Sequence, residues 1–189
     1  LSDFDIKKIG YSYSLEALII TYENCNIDIL KENNIINLSD IKRKEFSGAK
    51  RINNITINDD IAYLSTSLGL VLLDIKRSEI KDSYILADST GSYEITGCTF
   101  WGDSIIVTTS AGVFYANTAS QNLSDNNNWH AIHTPLAETY DNIVFATDSL
   151  YGDYSHETTS ISYNNSLIKT KAKKIIITNK NGIETELTH

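Results

Sequence analysis

The chain has 189 residues and a mass of 21.1 kDa, with 41% hydrophobic residues, enough for a folded core. Its 24 acidic against 16 basic side chains leave a formal charge of −8, and its densest basic stretches are only Lys42-Arg43-Lys44 and residues 169–174. Nucleic acid and anionic membrane are therefore poor partners, since phosphate is bound by a clustered basic face. Apolar runs such as Leu18-Ile19-Ile20 fall far short of the roughly 20 residues of a membrane-spanning helix.

One proline, nine glycines and an abundance of Ile, Thr, Tyr, Asn and Ser make a β-type vocabulary in which helix is expected to be scarce. In chain order, the first predicted unit has strands at 6–11 and 17–30, with a hairpin turn at Cys25. The second, 52–72, aligns without a gap on the third, 95–115, at an offset of 43. Apolar positions coincide, and so do a turn aspartate (Asp60, Asp103) and a late glycine (Gly69, Gly112). Cys25 stands where those units carry glycine. Outer strands are predicted at 80–86 and 129–133, and residues 120–128 read as a polar loop. A fourth unit opens at 140–151 with Asp148 and then departs from the pattern, and a partial copy follows at 175–185.

Each unit reads as alternating strands joined by a tight turn at Asp and a hairpin at Gly, whose positive φ a tight turn needs. Four antiparallel strands every 43 or so residues is the arithmetic of an all-β β-propeller blade. The expected blades are 1–50, 51–93, 94–139 and 140–170, with the start of a further one at 171–189. With no methionine at position 1, the sequence reads as a fragment of a larger ring of about six to eight blades. Its free edges are then expected to be covered by further blades or a neighbouring chain, because open edges invite pairing.

Catalytic constellations are sparse. His130 and His133 are three apart, which on a strand throws them to opposite faces and away from a shared metal. His156-Glu157 lacks the second histidine of a zincin helix, and His189 is terminal. Cys98 takes a core-facing position aligned with Ile55 and Ile143, where cysteine acts as a small hydrophobe. Cys25 and Cys98 fall in different units and are expected to be free thiols. Asp60, Asp103 and Asp148 recur at separate turns, so they read as turn formers rather than a calcium site. Trp101, in a turn where other units place Asn58 or Ala146, is the single binding candidate, able to stack on a sugar or a partner protein. Trp129 and the Tyr11, Tyr13, Tyr22, Tyr63, Tyr115 series are assigned no site. No enzyme activity, metal or cofactor is expected.

The opening Leu1-Ser2-Asp3-Phe4-Asp5-Ile6 resembles the start of blades in two-component regulator propellers. The stretches 21–30, 52–56, 62–66 and 69–74, with Asn128-Trp129 in an outer strand, are similar to the N-terminal propeller of PorZ-like proteins of the Bacteroidetes type IX secretion system. The resemblance covers residues 1 to about 145. It implies a periplasmic or surface scaffold at the outer membrane. Its partners would be proteins of a secretion and sortase complex, or a glycan or lipopolysaccharide ligand. It also leaves open a second role, the periplasmic ligand sensor of a hybrid histidine kinase.

Overall fold

The computed structural model describes residues 1–101, 103–119, 122–132, 142–146, 149–153, 166–171, 174–179 and 184–188, with side chains over 1–100, 103–119 and 122–131. The first strands are β1 (Ile6–Ser12), β2 (Ala17–Tyr22), β3 (Ile27–Lys31) and β4 (Asn34–Leu38), followed by a short helix α1 (Asp40–Arg43). Next come β5 (Ile52–Asn58), β6 (Ile61–Thr66), β7 (Gly69–Asp74) and β8 (Glu79–Tyr84), and a small hairpin of β9 (Ala87–Asp88) and β10 (Gly91–Ser92). The third set is β11 (Ile95–Trp101), β12 (Ser104–Thr109), β13 (Gly112–Asn117) and β14 (His130–Ile132). The last is β15 (Asn142–Ala146), β16 (Ser149–Asp153), β17 (Ser166–Lys171), β18 (Lys174–Asn179) and β19 (Glu184–Thr188).

Sheet 1 runs β1-β2-β3-β4, sheet 2 β5-β6-β7-β8 and sheet 3 β11-β12-β13-β14, each in chain order. These are β-propeller blades. The fourth sheet joins β15 to β19, with a single parallel bridge, Asp153 to Thr170, between β16 and β17. The chain divides into two compact units, Leu1–Ile95 and Thr96–His189.

In the first unit the alternation of apolar and polar residues builds one core between sheets 1 and 2. Ala17, Ile19, Ile27 and Ile29 of sheet 1 meet Ile55, Ile57, Ala62, Leu64, Val71, Leu73 and Ile80 of sheet 2, and Ile41 of α1 is buried with them. Gly10 lets the two sheets close, since a Cβ there would lie 2.9 Å from Ile55 Cγ2. The second unit buries Cys98, Ile105, Ile106, Val107, Val113 and Ala116.

The repeat extends to the turns. Thr66 Oγ1 accepts from the Leu68 N–H at 3.0 Å and donates to the Gly69 carbonyl at 2.7 Å. Thr109 does the same with Ala111 and Gly112, both at 3.0 Å. Gly69 and Gly112 have φ of +117° and +127°, as the spacing predicted. Asp60 and Asp103 each sit in the first hairpin turn and accept through their carbonyls, from Ile75 N at 2.9 Å and Thr118 N at 2.7 Å. The third strands end where Asp74 Oδ1 accepts from Arg77 N at 2.8 Å and Asn117 Oδ1 accepts from Ala119 N at 2.8 Å.

The outer strand of sheet 3 differs from the expected 129–133. Asn126–Asn128 form a 3-10 turn whose Asn127 N–H is capped by the Asp125 side chain, so Asn128 and Trp129 precede the strand instead of lying in it. Trp129 is buried there, and its indole N–H donates to the Leu123 carbonyl at 2.9 Å. The turn between β3 and β4 was not legible as a tight hairpin, because Glu32 and Asn33, not glycines, carry φ of 49° and 64°.

Candidate functional site

Polar side chains of the first unit gather where β1 and β5 begin and where the β2–β3 and β6–β7 turns lie. The chain enters β1 and β5 in the same way. Glu23 N donates to the Asp5 carbonyl at 2.9 Å, and Ser67 N donates to the Arg51 carbonyl at 3.1 Å. Both strands then bulge at once, between Ile6 and Lys8 and between Ile52 and Asn54. A bulge re-aims the extra residue. Asn53 is thus free to donate to Glu94 Oε1 at 2.9 Å and to the Ile95 carbonyl at 2.8 Å. Glu94 takes a two-pronged bond from Arg51, at 3.0 and 2.7 Å. That pair holds the Glu94 carboxyl below its usual range, with burial opposing it.

At sheet 1 the N-terminal segment is strapped down by two carboxylates. Asp3 accepts from Lys42 Nζ at 2.7 Å and from Asn24 Nδ2 at 2.6 Å, and these bonds hold its pKa at about 2. Asp28 is fully buried on β3 and accepts from Ser2 N (2.7 Å), Tyr22 Oη (2.7 Å) and Asn37 Nδ2 (2.8 Å). Burial raises the Asp28 pKa, but the bonds from Asn37, Tyr22 and Ser2 outweigh it and the net shift is downward. Burial and the same carboxylate push the Tyr22 phenol up. Lys50 reaches back to the carbonyls of Ile41 (3.3 Å), Lys42 and Lys44 (3.1 Å), capping the negative end of α1.

Cys25 is fully buried in this region and adopts φ 63°, the left-handed backbone where the other units use glycine. Burial pushes its thiol up, against the nearby Lys50 charge, and Cys98 is pushed up by burial alone. Neither cysteine is in a disulfide, as expected, and such buried thiols are poor nucleophiles. Among the described residues no group of three or more His, Cys, Asp and Glu converges as metal ligands. His130 is exposed and lies beside the Tyr115 ring, 5.5 Å between centroids. Trp101, expected in a turn, is instead the last residue of β11, as Asn58 is of β5, and its side chain lies outside the described residues. Asp148, His133, His156, Glu157 and His189 also lie outside them.

Two of the charges in this region are paired within the chain, Lys42 with Asp3 and Arg51 with Glu94, and Lys50 donates to carbonyls. What remains is a built, polar end of the blades suited to holding shape and making contact. Asp28 and the Arg51–Glu94 pair escaped the sequence reading, although the period itself exposes Asp28, which falls where the next two blades have Val71 and Phe114.

Residues 1–130 match the family described as the type IX secretion system PorZ N-terminal β-propeller domain. The chain belongs to this family. Among solved structures it is similar to PorZ of Porphyromonas gingivalis, a bacterial surface component of the type IX secretion system. The identity is 21% and the TM-score 0.71, over 100% of this chain and 28% of that one. The extracellular domain of the one-component system BT4673 from B. thetaiotaomicron is 17% identical, with TM-score 0.59, over 89% of this chain and 23% of that one. The dihydro-heme d1 dehydrogenase NirN is 13% identical at TM-score 0.59, over 97% of this chain and 37% of that one. No curated protein matches the chain. At such identities the structures share the fold, which hosts surface component, sensor and enzyme alike. No helix among the described residues is long and apolar enough to cross a membrane.

Proposed function

We propose that the chain is a non-catalytic β-propeller scaffold of a PorZ-like cell-surface attachment complex. The observation that carries this reading is the family match over residues 1–130. The buried, unreactive thiols and the pairing of Lys42 with Asp3 and Arg51 with Glu94 agree with a contact surface rather than a reaction centre. Its place would be the periplasm or the cell surface, in contact with the proteins of an outer-membrane secretion and sortase complex or with their lipopolysaccharide. Trp101, the last residue of β11, is the aromatic proposed for such contact.

A ligand-sensing propeller of a hybrid two-component system is the second reading, favoured by the structural likeness to the BT4673 extracellular domain. Mass spectrometry of the native product, recovered from separated outer- and inner-membrane fractions, decides between them. The scaffold predicts recovery with the outer membrane, cross-linked to secretion components. Recovery of a longer inner-membrane product carrying kinase peptides would overturn it in favour of the sensor.

A further inference from the structure

The two ends of the first unit carry their charge differently. Where β1 and β5 begin, Glu23, Asp3 and Glu94 are each paired with a cation, Lys7, Lys42 and Arg51. The other end holds the β1–β2, β3–β4, β5–β6 and β7–β8 turns. There Arg77 is shared between Asp74 and Glu79, but Glu16, Glu32 and Asp59 have no ion pair among the described residues. All three are exposed, at left-handed turn positions with φ of 48°, 49° and 52°. Asp60 adds a further carboxylate, and Lys31 and Lys76 answer them only in part. This end of the unit is therefore negative, as the chain is at −8.

The same end holds an aromatic ring in water. Tyr13 opens the β1–β2 turn, is 87% exposed, and meets Tyr11 edge to face, with ring centroids 5.0 Å apart and planes at 88°. That contact supports the Tyr13 ring and leaves most of it free. Residues 13–16 make this turn longer than the one at 59–60 in sheet 2, and Tyr13 takes the place of Asp59. Asp59 stays exposed although sheet 1 packs on sheet 2 beside it. Blade packing thus stops short of this position, and Tyr13 lies outside the rows that hold blade to blade. What it offers is the negative face of its ring, next to carboxylates that lack a counter-ion, and both attract a cation.

We propose that this end of the first unit docks an extended, arginine-bearing segment of a protein partner, with one guanidinium on the Tyr13 ring and neighbouring basic side chains against Glu16, Glu32 and Asp59. The proposal rests on the reading of the chain as a contact scaffold and names the end that makes the contact. Ring and charge call for the same occupant. Arginine suits them better than lysine, because its planar, weakly hydrated guanidinium stacks on an aromatic face while its N–H groups reach carboxylates. Polyanions are repelled by the same carboxylates. The opposite end offers no such field, since Asp3, Glu23 and Glu94 already have their cations.

The test is fluorescence anisotropy of a labelled peptide of alternating Arg and Ser, titrated with the natural full-length polypeptide and its variants. Tyr13→Leu should weaken binding by about 5-fold or more, while Tyr13→Phe, which keeps the ring, binds as the parent does. Glu16→Gln with Glu32→Gln should weaken it by a similar factor, about 5-fold, against no change for Glu23→Gln with Glu45→Gln, which removes the same charge at the other end. Absence of binding by the parent would overturn the proposal. So would parent-like binding by Tyr13→Leu, or equal losses from the two charge-matched pairs, which would reduce the effect to net charge. None of these failures touches the scaffold reading, which is decided by cargo attachment in the native host.

Discussion

Sheets 1 and 2 are one repeat executed twice. Their strand order, bulge position and chain entry are the same. Among the positions at which they differ are Cys25 for Gly69 at the turn, Asp28 for Val71 in the buried row, and Asp5 for Arg51 at the entry. The apolar rows are what the architecture requires, because they hold blade to blade. The polar positions are free to vary, provided each buried group finds partners, and so they carry the individuality of each blade.

The comparison breaks most severely in the apolar rows. Leu73→Ala opens a cavity between the sheets and is expected to cost about 2–5 kcal/mol. Its sheet 1 counterpart, Leu30→Ala, half-exposed in the 189-residue chain, should cost less than half of that. Urea unfolding of both variants measures the difference.

The turns come next. Gly69→Ala places a side chain at φ +117° and drives its Cβ into the Tyr84 carbonyl, with an expected loss of about 3 kcal/mol. Cys25→Gly relieves left-handed strain of about 1–2 kcal/mol but removes a fully buried side chain, so its midpoint should stay close to that of the parent. Equal effects of the two substitutions would deny that the turns are equivalent.

Asp28→Val writes the residue of sheet 2 into sheet 1. It removes the acceptor of Tyr22 Oη and Ser2 N and one of the two acceptors of Asn37 Nδ2, and is expected to cost about 1–3 kcal/mol in thermal or urea unfolding. The parent also has an acid dependence that this variant lessens. Asp3 and Asp28 have lowered folded pKa values, so their stabilisation is complete above the unfolded carboxylate value near 4. It is lost as the pH falls through the folded values, about 2 for Asp3. Stability measured from pH 5 down to 2 should therefore fall less steeply in Asp28→Asn than in the parent. The smallest effect belongs to the exposed Arg51–Glu94 pair: Glu94→Gln should cost about 0.2–1 kcal/mol and lose its effect in high salt.

Much of this architecture was legible because it depends on spacing. The 43-residue offset, the apolar alternation and Gly69 with Gly112 report directly on strands and turns, and each was found where the repeat placed it. Sites built from irregularity were not legible. Asn53 reaches Glu94 only because β5 bulges, and Arg51 and Glu94 look like ordinary surface charges until the fold sets them side by side. Asp28 reads by alternation as an outward polar residue between Ile27 and Ile29, and the N-terminal segment that buries it has no periodicity to announce it. The place of Trp129 before the strand was not legible, since Asp125 caps a 3-10 turn through its side chain.

The proposed scaffold role is tested most directly by deleting this chain in its native host. The readout is C-terminal signal cleavage and surface attachment of type IX cargo. The account predicts uncleaved cargo and loss of its surface attachment, both restored by the intact chain. Cargo that is cleaved and attached at the normal level without the chain would contradict it.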